Sequence, residues 1–368
     1  MNDHVYVFHA SDVIGGGTIF LTRVAALLQS HIRLTVVAPP LPTVESGLAE
    51  VGAGFVGLPA RGGVSLRWAF VRWLWRERHV IRASRILIVL NGRGAAYLAP
   101  IVRLLCGVAP VIISHTELSM RSGDLKESLY GMAARFARCV VAVSDSVAMQ
   151  HHQRWPALAV ESIPNWIELQ PGDTAGSAGN LSSMTGKIHA AVVSRLAPRK
   201  GVEDVVAACR DEDGIELHIY GDGPMRDQLR NMGSQFAWLH FHGHVDDLSR
   251  RLPTHSILIS GSYSEACSYS LIEGIQAGLL CVLTDIPAHR EILGDDYPDA
   301  LFFPPGDVPA LRQALQVARG FLSSDAGDCA RMAVSMALER ITTRNSPEAA
   351  KPRYLAVLSA TDTRVGKV

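Results

Sequence analysis

Two α/β domains, each a doubly wound parallel sheet, are predicted from three observations. The chain has 368 residues, more than one core of ordinary size organises and about right for two. Short β-rich runs alternate with longer helical patterns along its whole length. The runs are near-continuously apolar rather than alternating, which is the pattern of strands covered on both faces.

In the first half the strand runs are Val5–His9, Leu34–Ala38, Ile86–Leu90, Val111–Ser114 and Val140–Ser144. In the second they are Ala190–Ser194, Glu216–Tyr220, Leu239–His242, Ile257–Ser260 and Cys281–Thr284. Between them the Gly/Ser-rich stretch after Gln170 has no periodicity and reads as a connector. The expected organisation is a first domain over 1–168, a linker over 169–186, a second domain over 187–345, and a tail over 346–368 whose helical pattern packs back on the first domain. Open α/β sheets bind ligands beyond the carboxyl ends of their strands, so two facing sheets would enclose a cleft, and function is sought in the strand-to-helix loops.

Composition narrows the classes. Nearly half the residues are apolar and 19% are charged, as in a globular enzyme. The start, with no basic leader, and the lack of a long uncharged apolar run predict a cytoplasmic chain. Six cysteines without a C-x-x-C pair predict neither disulfides nor a zinc site, with five of them suited to buried free thiols. Residues 1–170 hold 16 Lys/Arg against 11 Asp/Glu and the remainder 19 against 24, a modest bias of the first half toward an anionic partner.

The densest chemistry lies in Ser260-Gly-Ser-Tyr-Ser-Glu265-Ala-Cys-Ser-Tyr-Ser-Leu-Ile-Glu273. A strand leads into small residues, and a helix is expected to open near Ser268, Tyr269 and Ser270, where unsatisfied N–H groups and the dipole suit a diphosphate. Glu265 falls in the loop and Glu273 on the helix; one carboxylate can hold a sugar and the other a ribose. Upstream, Val193-Ser-Arg195-Leu-Ala-Pro-Arg-Lys200-Gly201 puts two cations on one strand-to-helix loop, able to neutralise a pyrophosphate as it leaves.

This run resembles the E-x7-E motif of retaining glycosyltransferases of family 4, and Arg195 with Lys200 is similar to the family's cation pair on the donor diphosphate. The strand over Leu279–Thr284 and the following Asp285-Ile-Pro-Ala-His-Arg-Glu291 keep the family's order. The resemblance covers about residues 4–340 and is strongest from 188 to 294. It implies the GT-B fold, two facing Rossmann-like domains with an interdomain cleft, a nucleotide-sugar donor, retention of anomeric configuration, and neither metal nor cofactor. By the same resemblance Gly221 belongs to a G-x-G-P turn, Val245 to the loop meeting the nucleotide base, Gly16 and Gly17 to a phosphate- and acceptor-side loop, and His115 to the sugar side of the cleft. Two departures are Trp166, where relatives carry glycine after Pro-Asn, and Ala266-Cys267-Ser268 in place of Gly-Phe-Gly.

In the mechanism the resemblance implies, the acceptor hydroxyl attacks from the face the nucleotide diphosphate leaves. Arg195, Lys200 and the helix start stabilise the charge, Glu265 positions the sugar, and Glu273 holds the ribose. The acceptor is expected to be a glycan or a lipid-linked saccharide in cell-surface synthesis. Alternatives are a sugar-nucleotide 2-epimerase, which makes product without acceptor, and a non-catalytic sugar-nucleotide-binding partner. A nicotinamide oxidoreductase is disfavoured, because the loop after the first strand lacks G-x-G-x-x-G. Residues 61–85 hold seven arginines, one acid, and Trp68, Phe70, Trp73 and Trp75, a composition with two readings: docking on anionic lipid at the inner face of the cytoplasmic membrane, or aromatics packed in the core with arginines covering the outer face. Nucleic acid fits less well, since the patch is confined and the pI is near neutral.

Overall fold

The computed structural model describes residues 4–12, 15–60, 63–84, 86–118, 124–167, 187–210, 212–233, 235–245, 247–322 and 327–359. The chain divides into two compact units, 1–165 with 347–368, and 166–346. The segment 169–186, read as a linker, lies outside the described residues.

The first unit holds seven parallel strands: β1 (His4–His9), β2 (Arg33–Ala38), β3 (Gly54–Gly57), β4 (Leu87–Asn91), β5 (Val111–Ser114), β6 (Cys139–Ala142) and β7 (Val160–Ser162). Their order is β3-β2-β1-β4-β5-β6-β7, so the winding reverses between β1 and β4, where Val5 pairs with Leu87 and His9 with Asn91. The second unit has β8 (Ile188–Val193), β9 (Ile215–Tyr220), β10 (Leu239–Gly243), β11 (Ile257–Ser260), β12 (Leu280–Thr284) and β13 (Phe302–Phe303). Their order is β10-β9-β8-β11-β12-β13, all parallel, and the reversal falls between β8 and β11. Each unit is thus a doubly wound parallel sheet, and each has its ligand-competent crevice at that reversal.

Burial explains the sequence pattern. Every residue of β4, β5 and β12 is buried, as apolar runs in parallel sheets require. β3, β7 and β13, which the sequence reading missed, are edge strands of two to four residues with a single partner each. The helix over Pro347–Ser359 packs in the first unit, where Tyr354 is buried with its ring 6.0 Å from Phe20 and Arg138 donates to the Val357 carbonyl at 3.2 Å.

The arginine-rich segment forms a helix over Gly63–Ala83, described from residue 63 on. Leu66, Phe70, Leu74 and Ile81 form its buried stripe. The four aromatics divide between the two readings, and two of them are packing residues. Phe70 is buried and stacks on Phe8, and Trp73 is half-buried, edge-on to Tyr6 at 5.0 Å. Trp68 and Trp75 are 65% and 53% exposed, with the Arg78 guanidinium 3.8 Å from the Trp75 ring. No helix of the described residues is long and apolar enough to cross a membrane. All six cysteines are free; Cys106, Cys209 and Cys281 are buried, Cys139 and Cys267 only half-buried, and Cys329 exposed.

Candidate active site

In the second unit the crevice between β8 and β11 is built by backbones in contact. After β8 a 3-10 turn over Pro198–Lys200 ends at Gly201, whose φ of 57° is left-handed. A Cβ there would stand 2.1 Å from the Gly261 carbonyl oxygen, and a Cβ on Gly261 would stand 2.5 Å from that of Gly201. Two glycines therefore let the loops after β8 and β11 touch. The contact is closed by the Tyr263 amide, which donates to the Arg199 carbonyl at 2.9 Å, and by the Tyr263 hydroxyl, which donates to Asp204 at 2.8 Å.

This apposition brings Lys200 onto Glu265, 65 residues away in the chain. Their side chains are 14% and 12% exposed, so the pair is screened far less than a surface ion pair. Ser262 Oγ donates to the same Glu265 oxygen at 2.8 Å. Behind them Thr284 Oγ1 donates to the Ser262 carbonyl at 2.6 Å, and His289, fully buried, bonds the Thr284 carbonyl through Nδ1 at 2.8 Å. Burial first of all holds the His289 pKa below its ordinary value, so it is a neutral prop with Nδ1–H donating. The sequence reading passed over His289; it stands on the helix start after β12, inside the quoted Asp285–Glu291 run.

Glu265 leads into the helix over Tyr269–Gln276, which opens within the span read from the sequence. Ser268 is its N-cap and accepts from the Leu271 amide at 3.4 Å, with Ser270 Oγ 3.2 Å from Ser268 Oγ. Leu271, Ile272, Gly274 and Ile275 are buried, which leaves Ser270 and Glu273, three apart, on the half-open face. Cys267, in the departing Ala-Cys-Ser triplet, packs on the core and leaves the cap to Ser268. Arg195 is exposed on the loop after β8; no ion pair among the described residues joins it to Glu265.

The loop after β9 lies on the same β8 loop. Gly221 and Gly223 have φ of 130° and 159°, and Cβ atoms there would meet the Ser194 and Leu196 carbonyls at 1.9 and 2.3 Å. The Leu196 amide donates to the Asp222 carbonyl at 2.9 Å, and the Gly221 amide to that of Gly243 at 2.7 Å. Val245, half-buried, packs on the core beyond β10. Trp166, the departure from glycine, is buried at 1% exposure where the second unit begins.

The first unit has its own polar centre at the reversal between β1 and β4. Asn91 Nδ2 donates to the Gly17 carbonyl and to His9 Nδ1, both at 3.0 Å, and its Oδ1 accepts from His115 Nε2 at 2.6 Å. One amide thus joins the ends of β1 and β4, the residue after β5, and the start of the helix over Gly16–Leu28. Gly17 packs its backbone on the rings, a Cβ there standing 3.3 Å from His9 and 3.9 Å from His115. Gly16 opens the helix, and Thr18 Oγ1 accepts from the Gly15 amide at 2.8 Å. His9 and Asn91 were not among the residues read from the sequence.

Burial lowers the His9 pKa to about 4, and burial followed by the His9 ring lowers that of His115 to about 3. Both imidazoles are neutral near pH 7, so His115 offers a hydrogen bond and no charge. The unfolded chain takes up protons below about 6.5, while these native rings stay neutral. Stability is therefore complete above about pH 6.5 and is lost as pH falls toward 4. A buried imidazole with such a shift, as at His9, contributes about 2 kcal/mol of loss by pH 5. A urea midpoint markedly lower at pH 5 than at pH 7.5 is expected, and equal midpoints would refute the neutral pair.

Comparison with known proteins bears on both units. Residues 187–318 match the model of the family glycosyl transferases group 1. An exopolysaccharide phosphotransferase of Streptomyces coelicolor is 32% identical over 175 residues, 42% of this chain, but the match spans only 18% of that protein. The O-antigen biosynthesis glycosyltransferase WbnH of Escherichia coli is 20% identical over 76% of this chain and 80% of its own length. Anabaena HepE, crystallised with UDP-glucose, superposes with a TM-score of 0.79 at 15% identity, covering 97% of this chain and all of that one. With that match and that architecture, the chain has the GT-B fold, and its residues 187–318 are similar to the glycosyl transferases group 1 family.

Proposed function

We propose that the chain is a retaining glycosyltransferase that moves a sugar from a nucleotide-diphosphate sugar to a glycan or lipid-linked saccharide in cell-surface polysaccharide synthesis. The observation that carries the reading is the Lys200–Glu265 pair, held where the winding of the second sheet reverses and followed at once by the Ser268-capped helix. A cation, a carboxylate and a helix N-terminus at one crevice are what a sugar diphosphate demands: charge for the phosphates and an ionised acceptor for sugar hydroxyls.

In this mechanism the acceptor oxygen forms its bond to the anomeric carbon as the bond to the diphosphate oxygen breaks on the same face, and the acceptor proton passes to the departing diphosphate. Lys200, Arg195 and the amides at Ser268–Ser270 stabilise the charge that grows on that leaving group. Glu265 holds the sugar, Glu273 the ribose, and neutral His115 a donor hydroxyl. UDP-glucose is the first donor to try, since HepE was crystallised with it. Exposed Trp68 and Trp75, on the arginine-rich helix, are the contact with anionic lipid at the membrane face where a lipid-linked acceptor resides.

The test is a thermal-shift panel of UDP-, GDP- and ADP-sugars on the intact protein, followed by turnover with and without a saccharide acceptor. A donor at 100 times its Kd stabilises by about 2.7 kcal/mol, which raises Tm by several degrees. A shift with one nucleotide class and product only with acceptor are expected. No shift with any donor, or an epimerised sugar without acceptor, overturns the reading. Co-sedimentation with phosphatidylglycerol vesicles, reduced in the Trp68→Ala, Trp75→Ala double variant, checks the lipid contact.

A further inference from the structure

The second sheet carries an unusual polar face at its β8–β9–β10 edge. Ile215, Leu217 and Ile219 of β9 point into the core, so Glu216, His218 and Tyr220 share the opposite face. In register beside them stand His189 on β8, paired with Glu216, and His240 on β10, paired with His218. His242, two residues on, and His255 complete a cluster of five imidazoles centred on His218, with Glu216 at its edge.

We propose that His189, Glu216 and His218 form a binding site for a divalent transition metal of the zinc type. The ligand atoms these three offer all lie within 4.8 Å of one another. His189 Nδ1 and His218 Nε2 are 3.5 Å apart, long for a hydrogen bond between nitrogens. It is close to the edge of a tetrahedron, since two nitrogens each bound to zinc at 2.0–2.1 Å stand about 3.4 Å apart. The remaining nitrogen of His218, Nδ1, is 2.9 Å from His242 Nε2, the outer hydrogen bond that fixes the tautomer and orientation of a ligating ring. Lys187 at 2.7 Å and His240 at 2.9 Å hold the two Glu216 oxygens in place and leave lone pairs on each.

Two imidazoles and a carboxylate suit zinc, cobalt, nickel or copper and do not suit magnesium or calcium.

The site is separate from the proposed donor site. His189 and Glu216 are the second residues of β8 and β9, at the amino ends of the strands, whereas the Lys200 and Gly221 loops leave from the carboxyl ends. The metal ties β8 to β9 and takes no part in transfer. Cysteine spacing, which the sequence reading used to look for zinc, has no bearing on a site made from strand histidines.

The experiment titrates the metal-free 368-residue chain with zinc chloride by calorimetry at pH 7.5, and repeats it with cobalt chloride to read the visible spectrum. One equivalent per chain, a tetrahedral cobalt spectrum and a raised Tm with zinc are expected. His189→Ala and Glu216→Gln, whose side chains lie outside the hydrophobic core, should each weaken binding at least tenfold while keeping the metal-free circular dichroism of the parent. His31→Ala, at an exposed histidine of the first unit, should bind as the parent does. Binding below one equivalent in the parent, or unchanged binding in both His189→Ala and Glu216→Gln, overturns the site. Because the readout is metal binding, it stands or falls independently of sugar transfer.

Discussion

Lys200→Ala is expected to lower kcat for sugar transfer by about 10²–10³, the loss typical of removing one group that meets charge developing in a transition state. The geometry makes the expectation specific. Lys200 is 14% exposed and fixed by Glu265 and the Gly201–Gly261 contact, so its ammonium is preorganised and need not be recruited during the reaction. An interaction made mainly in the transition state lowers kcat and kcat/KM together, whereas a cation that merely attracts donor raises KM alone. Removing Lys200 also leaves the Glu265 carboxylate, 12% exposed, without its ion-pair partner, and that has its own cost in stability. Glu265→Gln and the double variant Lys200→Ala, Glu265→Gln separate the two effects: stability should recover in the double variant, and transfer should not. Glu273→Ala should weaken donor binding through the ribose. Undiminished transfer in both Lys200→Ala and Glu273→Ala would sink the site assignment.

Much of the architecture was readable because the central strands of a parallel sheet are buried on both faces and so must be apolar throughout. Ile257–Ser260 and Val111–Ser114 coincide with their predicted spans, and most of the others shift by one or two residues at an end. Edge strands obey no such rule. Gly54–Gly57 and Phe302–Phe303 are too short to leave a period. In the candidate site, residue types and their order along the chain were legible, while contacts were not. Nothing local says that Lys200 meets Glu265, because that contact depends on β8 and β11 becoming neighbours across the reversal of strand order. The His9–Asn91–His115 centre was missed for the same reason: it joins the ends of three strands spread over more than a hundred residues, and only His115 stood in a motif. The histidine face left one local trace, Glu216-x-His218 and His240-x-His242, polar residues at the period of a strand with one face away from the core.

A large loss of folding stability is expected at Gly201, and it also tests how the site is assembled. Alanine there carries two separable penalties. The left-handed backbone at φ 57° costs a residue with a Cβ roughly 1–2 kcal/mol. The Cβ would also stand 2.1 Å from the Gly261 carbonyl oxygen, which is main chain and has no rotamer by which to yield. Gly243 isolates the first penalty, since its φ is 70° and a Cβ there meets nothing within 4 Å. Gly243→Ala should therefore lose only the backbone term, a few degrees of Tm, while Gly201→Ala loses upward of 4 kcal/mol, on the order of 10 °C. Where Gly201→Ala still folds, the two loops must separate, and Lys200, its immediate neighbour, moves off Glu265. Transfer should then fall further than in Gly243→Ala at a temperature where both variants are folded. Gly261→Ala, which meets the same contact from the other side with its Cβ 2.5 Å from the Gly201 oxygen, should reproduce the loss. Equal stability of Gly201→Ala and Gly243→Ala would mean that the loops after β8 and β11 do not touch, and the crevice proposed for the donor would lose the contact that builds it.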